Sequence, residues 1–260
     1  MVAEFDNLSY QRVGSVGVLT LNRPQCLNAI NFSMQADLAA FFKERLADTQ
    51  TRVLVVTGAG KGFCAGLDMN DPDITAPADG YSPAKAYALQ RTYSDFILAM
   101  RQCPQPVVGA INGAAAGAGF SIALACDIRI AARQARFSAA YINIGVGGAD
   151  MGSSWLFPRA VGAGNAARYL YTGDLFDAAE ALRIGLVQSV VDEDDLLAEA
   201  MALAGNMAGK SPLGLKLTKE ALNVNAGATS LEAAIRLEDR NQALCITQLL
   251  APDPDLYRPK

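Results

Sequence analysis

The feature that most constrains the fold is a buried-strand pattern that leads directly into a glycine-rich turn and a short apolar helix. Residues 106–111 form the apolar run, residues 112–119 contain Gly113, Gly117 and Gly119, and residues 120–125 have a helical composition. A helix N-terminus reached through such a turn has several backbone N–H groups without intrahelical partners. These groups can bind an anion or the negative charge that develops on a reacting oxygen. Alternatively, the small residues serve only to let the helix pack closely against its neighbours.

Elsewhere, short apolar segments alternate with amphipathic ones. The patterns predict strands at 5–12, 16–21, 52–57, 127–131, 137–146 and 186–191. They predict helices at 31–47, 83–100, 155–161, 163–171, 196–208, 213–222 and 231–250. Asn31 or Ser33 is the expected cap of the first of these. A further helix is predicted to open at 177–180, with Asp177 as its cap and Glu180 reaching back to that cap. This alternation favours an α/β fold with a largely parallel sheet. Because the last quarter is helical, we divide the chain into an α/β core (1–195) and a C-terminal helical region (196–260).

Composition narrows the classes of partner. The 260 residues are 51% hydrophobic and 18% charged, with a net charge of -4, which predicts a sizeable core. Since no Lys/Arg run is present, we expect no nucleic-acid partner and no binding to anionic membrane surfaces. No apolar stretch reaches transmembrane length, and the N-terminus lacks the pattern of a signal peptide. We therefore expect a cytoplasmic protein with no membrane partner.

The absence of histidine constrains the chemistry. It excludes Ser-His-Asp and Cys-His catalysis together with imidazole metal sites, so we predict no metal site. The five cysteines are scattered without a C-x-x-C pair, which favours reduced structural thiols. Acid–base chemistry must then use a carboxylate, a tyrosine or a lysine.

Four spaced motifs resemble those of one family. They are NRPQCLNA at 22–29, GFCAGLD at 62–68, the glycine-rich stretch 112–127, and TG at 172–173 with GLV at 185–187. In this order they resemble the crotonase superfamily, the enoyl-CoA hydratase/isomerase group, over about residues 5–225. The resemblance implies a crotonase-like spiral of ββα units with a C-terminal helical trimerisation region. It also implies a homotrimer or hexamer, an acyl-CoA substrate, and no cofactor beyond the coenzyme A of that substrate.

The resemblance also assigns residues to the substrate. It places two backbone N–H donors for the thioester oxygen at Leu67 and Ala118. It places the substrate along the following residues: Gln25, Cys26, Leu27, Ala65, Gly66, Asp68 and Gly117. Gln25 stands where relatives often carry a basic residue. For Asp68 we favour a structural role, as the N-cap of a helix that begins there, and we interpret Asp127 as structural too.

The residue that moves the proton differs from the usual pattern. Typical hydratases of this family use two glutamates, and those positions fall on Ser121 and Tyr141, so ordinary hydration is not favoured. The nearby carboxylate is Asp150, which either shuttles a proton between two carbons of the acyl chain or caps the helix leading into Trp155. We interpret Ser121 as a polar replacement. Tyr141 either donates a hydrogen bond to substrate or, as we favour, fills space.

Three functions follow from these residues. The leading interpretation is an acyl-CoA enzyme with an isomerase-like single acid at Asp150. A second is an enoyl-CoA hydratase in which Asp150 and a hydroxyl place the water. A third is a CoA-thioester-binding subunit without catalytic activity. The sequence contains no pattern that indicates the length of the acyl chain.

Overall fold

The computed structural model describes residues 5–75, 80 and 82–250. The strands are β1 (Leu8–Val13), β2 (Val16–Leu21), β3 (Val53–Gly58), β4 (Val107–Ile111), β5 (Ala114–Ala116), β6 (Ile128–Ala132), β7 (Arg136–Ser138), β8 (Phe176–Asp177) and β9 (Ser189–Val191). The helices are α1 (Phe32–Arg45), α2 (Pro72–Thr75), α3 (Pro83–Gln102), α4 (Ala118–Ala125), α5 (Ser153–Val161), α6 (Ala163–Thr172), α7 (Ala178–Arg183), α8 (Glu193–Ala208), α9 (Pro212–Asn225) and α10 (Leu231–Leu249).

The main sheet has six strands in the order β1-β2-β3-β4-β6-β9. β1 and β2 form an antiparallel hairpin, and every later pairing in this sheet is parallel, as the alternation of strands and helices predicts. Its central strands are continuously apolar because both faces of the sheet are covered. A smaller sheet joins β5, β7 and β8. The predicted α/β architecture is therefore confirmed.

Two apolar layers cover the two faces of the main sheet. On one face lie α1, α3 and α4, whose buried rings include Phe41, Phe96 and Phe120. On the other face α8 packs its small side chains Ala200 and Ala204 against the valines of β2, β3 and β4. Since α8 begins at Glu193 and covers the sheet, it belongs to the same packed body as the strands. The division at 195/196 stays a prediction.

A polar cluster attaches α9 to the end of the sheet. The Nζ of Lys219, a residue only 5% exposed, lies 2.9 Å from Asp127 Oδ2 and donates to the carbonyl oxygen of Gln105 at 2.9 Å. Arg101 Nη1 donates to Asp127 Oδ1 at 2.8 Å, and Arg101 Nη2 donates to Asn223 of α9. The structural role predicted for Asp127 is confirmed, because this carboxylate joins α3, α9 and the backbone of Val107.

Several local predictions need correction. The β-like segment 137–146 is a strand only to Ser138, after which Ala140–Ile144 forms a 3-10 helix. The predicted strand 186–191 shortens to Ser189–Val191. Asp177 caps α7 as expected, but Glu180 bonds outward to Tyr169 and Arg183 instead of reaching back to the cap. Residues 251–260 lie outside the described residues.

Length and apolar character decide whether a helix can cross a bilayer. Within residues 5–75 and 82–250, no helix combines the length and the apolar character needed to cross a membrane.

Candidate active site

The backbone N–H of Leu67 is free because of the way its segment pairs. Leu67 forms an isolated parallel bridge with Ile30, in which Ile30 N–H donates to Gly66 O at 2.7 Å and Asp68 N–H donates to Ile30 O at 2.9 Å. In a parallel bridge these two bonds use the flanking residues, so the N–H of the bridged residue points away from its partner. No acceptor for the Leu67 N–H occurs among the described residues.

A second free N–H belongs to Ala118, the first residue of α4. Its N–H precedes the first intrahelical hydrogen bond and has no acceptor within the described part of the chain. Gly117 makes the entry possible, because its φ of 50° and ψ of -122° lie in a region that glycine alone adopts readily. The sequence prediction of a glycine turn opening a helix at this point is confirmed.

The segments that carry these two N–H groups touch. A Cβ placed on Gly66 would lie 3.7 Å from the amide nitrogen of Ala118. A Cβ on Gly119 would lie 2.0 Å from the carbonyl oxygen of Cys64, so only glycine allows this approach. Both free amides therefore border one small region, where together they can bind a single oxygen carrying negative charge.

The C-terminus of α4 is fixed by a buried cation. The guanidinium of Arg129 donates to the carbonyl oxygens of Ala123 (3.2 Å), Cys126 (2.5 Å) and, across to the next loop, Leu186 (2.6 Å). These bonds satisfy carbonyls that a helix end leaves unpaired, and a cation there is favourable to the helix dipole. Since every residue of α4 is buried, the helix is held along its length and at its end.

The turn before α5 carries Asp150, and hydrogen bonds from two helices fix its main chain. Its N–H donates to Ser153 Oγ at 3.0 Å, and its carbonyl oxygen accepts from Ser121 Oγ of α4 at 3.3 Å. Its carboxylate accepts from the amide of Met151 at 2.7 Å and from the Gln90 side chain of α3. Burial raises the pKa of Asp150, and these two donors oppose the rise.

Ser121 and Tyr141, the positions where the resemblance places glutamates in relatives, form a pair of hydroxyls. Ser121 Oγ and the Tyr141 hydroxyl are 2.5 Å apart and both side chains are buried. Burial raises the pKa of Tyr141 well above its usual value, so the phenol stays neutral. The Tyr141 hydroxyl anchors Ser121, and the favoured space-filling role of Tyr141 stays a prediction. Ser121 is more than a polar replacement, because it links α4 to the backbone of Asp150.

The segments predicted to lie along the substrate are adjacent. Ala65 N–H donates to Leu27 O at 3.0 Å, which joins the loop containing Gln25 and Cys26 to the one containing Gly66. Gln25, Leu27 and Ala65 are exposed, and Cys26 is half-buried. The roles of these residues in substrate binding stay predictions.

Two helix-cap interpretations are wrong. No helix begins at Asp68, and its carboxylate instead accepts from the Asn70 amide and lies 2.9 Å from the Arg23 guanidinium. Burial opposes its ionisation, but those two partners hold its pKa below the usual value. Asp150 does not cap α5, because Gly152 occupies the N-cap and the carboxylate bonds to Met151 instead.

Three contributors escaped the sequence prediction. Asn28 is fully buried in a left-handed conformation, and its side chain donates to Ala59 O and Gly62 O, which ties two of the motifs together. Gln90 reaches Asp150 from a helix whose pattern gave no sign of that contact. Arg129 stands inside a buried strand, and a charged residue in such a run is the signal that could have revealed it.

In the part of the chain that the structure describes, no group of three or more acidic, cysteine or histidine side chains could hold a metal ion.

Comparisons with known proteins agree on the family. Residues 11–249 match the enoyl-CoA hydratase/isomerase family. The chain is 39% identical over 231 residues to the 1,2-epoxyphenylacetyl-CoA isomerase of Escherichia coli K12, covering 88% of this chain and 86% of that protein. A crystal structure of a probable enoyl-CoA hydratase/isomerase from Mycobacterium abscessus superposes with a TM-score of 0.84 at 38% identity, covering 92% and 90%. A monofunctional enoyl-CoA isomerase from M. smegmatis gives 0.73 at 36%, covering 88% and 98%.

Proposed function

The chain belongs to the enoyl-CoA hydratase/isomerase family of enzymes acting on acyl-CoA, and from that premise we propose that it moves a double bond along the acyl chain of an enoyl-CoA. The observation that carries the proposal is a single half-buried carboxylate on a turn whose backbone carbonyl oxygen accepts a hydrogen bond from the helix that supplies one free amide. Ser121 of α4 donates to Asp150, and the same helix begins with the free N–H of Ala118. The turn that carries the proton acceptor is thus hydrogen-bonded to the helix that supplies one of the two amides.

The proposed reaction begins with the thioester oxygen between the N–H groups of Leu67 and Ala118. The Asp150 carboxylate removes a proton from C2 of a 3-enoyl-CoA, and the electron pair delocalises into a dienolate whose charge rests mainly on that oxygen. Asp150 then returns the proton to C4, which leaves the double bond between C2 and C3. Removal of one such oxygen donor typically costs roughly 3–4 kcal/mol of transition-state stabilisation.

The half-buried position of Asp150 suits this chemistry. A raised pKa makes the carboxylate a stronger base than an exposed aspartate, which favours removal of the C2 proton. The two neighbouring hydroxyls do not compete as bases, because burial keeps Tyr141 neutral and Ser121 is bonded to it. One carboxylate can serve both steps because a proton leaves one carbon and returns to another.

Hydration is the second candidate, since the matched family includes hydratases. It would need a water held between an acid and a base. The hydroxyls of Ser121 and Tyr141 are 2.5 Å apart and bonded to each other, and Ser121 also bonds to the Asp150 carbonyl. Both are therefore committed within the protein, which favours isomerisation over hydration.

The proposal is tested with 3-hexenoyl-CoA as substrate and the ultraviolet absorbance of the conjugated 2-enoyl product as readout. We expect turnover by the natural protein and its loss in Asp150→Asn, while Asp192→Asn, an exposed aspartate far along the chain, keeps full turnover. Undiminished turnover in Asp150→Asn would remove that carboxylate from the reaction. Loss of absorbance when 2-hexenoyl-CoA is added would establish hydration instead.

A further inference from the structure

The hydrogen bonds to the Asp150 carboxylate are unevenly distributed. The amide of Met151 donates to Oδ1 at 2.7 Å, and the Nε2 of Gln90 donates to the same Oδ1. Oδ2 accepts no hydrogen bond from any of the described residues. The two carboxylate oxygens are therefore chemically distinct, although they are equivalent in a free aspartate.

We infer that Gln90 is a positioning residue of the site, which holds Asp150 by Oδ1 so that Oδ2 carries the proton between the two carbons. The inference rests on the isomerase function proposed above and deepens it. Gln90 does not itself touch the reacting carbons in this scheme. Its contribution is the direction in which Asp150 presents its free oxygen.

The main chain of Asp150 is already fixed, so the freedom that Gln90 removes is rotation of the carboxylate. Hydrogen bonds to Ser121 and Ser153 hold the backbone oxygen and nitrogen. The torsion that turns a carboxylate is broad and nearly two-fold, so backbone contacts alone do not select one oxygen. The Met151 amide adjoins Asp150 in sequence, whereas Gln90 comes from α3, a separate element. Two donors from different directions fix the plane of the carboxylate.

The groups that face Asp150 are otherwise uncharged. Tyr141 is the titratable group on the neighbouring 3-10 helix, and burial keeps it neutral. α4 and α5 contribute the hydroxyls of Ser121 and Ser153. The pKa of Asp150 responds to burial and to its two amide donors, and no charged side chain of the described residues contributes. A change at Gln90 should therefore be visible in the titration of this one carboxylate.

The direction of the pKa change follows from the protonation form of Asp150 that Gln90 stabilises. An N–H donor favours the ionised carboxylate and lowers its pKa, so the loss of Gln90 raises the pKa of Asp150. The active base is the ionised form. In a variant without this donor, the acidic limb of the pH profile of kcat/KM should therefore move to higher pH. Above that limb, kcat should still fall, because the carboxylate is no longer oriented.

The experiment compares Gln90→Met, which keeps length and helix propensity but has no N–H, with Gln90→Glu, which adds a like charge. The matched control is Arg91→Met, the next position on α3, whose side chain pairs with Asp95 and not with Asp150. Each protein is assayed with 3-hexenoyl-CoA across a range of pH, and urea unfolding confirms that each is folded. The acidic limb of kcat/KM should lie at the lowest pH in the natural protein and in Arg91→Met. It should lie at higher pH in Gln90→Met and at the highest pH in Gln90→Glu.

We also expect kcat on the plateau of Gln90→Met to fall by about 10-fold to 100-fold, with KM nearly unchanged. If Gln90→Met leaves both the pH of the acidic limb and the plateau kcat unchanged, the positioning role is overturned. If Asp150→Asn is inactive at the same time, the proposed function stands and only this inference fails. Activity retained in Asp150→Asn would instead overturn both.

Discussion

Ala118→Pro is a substitution that removes the N–H of one proposed oxygen donor and puts a small ring in its place. Ala118 is the first residue of α4, a position where the N–H makes no intrahelical bond and proline is readily accepted. Gly117, which precedes it, has φ 50° and ψ -122°, the mirror image of an extended conformation. Proline favours an extended residue before it, and glycine tolerates the mirror form, so the backbone can stay as it is.

The expected magnitude follows from the free N–H. Because this N–H has no acceptor among the described residues, its loss costs the fold no hydrogen bond. Ala118 is only 2% exposed, so the added ring carbons should lower the free energy of unfolding by about 1–3 kcal/mol. The same loss removes a donor from the proposed oxygen site. Removal of one such donor lowers kcat by roughly 10²–10³-fold, or about 2.7–4 kcal/mol.

The assay is isomerisation of 3-hexenoyl-CoA, with urea unfolding as the measure of stability. Ala118→Gly is the matched control, since it keeps the N–H, and its kcat should stay within about tenfold of the natural protein. Free coenzyme A has no thioester carbonyl, so it should bind Ala118→Pro with unchanged affinity. A folded Ala118→Pro that retains more than about a tenth of the natural kcat would refute the role given to this amide.

Three further predictions concern the stability of the same structure. Asp150→Asn should raise the free energy of unfolding at pH 7, because burial raises the pKa of this carboxyl in the folded state. The gain should vanish below pH 3.8, where the carboxyl of the unfolded chain is protonated too. Urea midpoints measured at both pH values test this. Gly119→Ala should lower stability by about 1–3 kcal/mol or more, since its Cβ would lie 2.0 Å from Cys64 O, whereas Gly205→Ala in open space should gain about 0.5–1 kcal/mol. Lys219→Met should cost about 1.5–3 kcal/mol in urea unfolding by leaving its half-buried carboxylate partner Asp127 with fewer donors, and an unchanged midpoint would contradict the importance of that cluster.

The elements that the sequence predicted well are those determined by local chemistry. Asn31 was one of two candidate caps for α1, and its side chain accepts from Met34 N–H as a cap should. The glycine turn before α4 was predictable because few residues besides glycine accept the conformation of Gly117. The continuous apolar run of β3 indicated a strand covered on both faces.

The failures arose where a partner distant in sequence decided the outcome. Asp68 looked like a cap, but Arg23, from the loop after β2, holds it in an ion pair. The segment after Ser138 has strand-like composition, yet the hydroxyl of Tyr141 and the side chain of Asn143, which donates to Gly173 O, hold it as a 3-10 helix. Gln90 lies 60 residues from Asp150, and no periodicity within either segment reports such a contact.

The attachment of α9 through Lys219, Asp127 and Arg101 has a mechanical consequence. An apolar contact tolerates sliding and rotation, whereas directed hydrogen bonds lose most of their strength when their angles open. α10 packs mainly on α9, so the polar cluster that orients α9 also determines the orientation of α10. The exposed leucines of both helices, such as Leu222 and Leu231, therefore have a fixed orientation relative to the sheet.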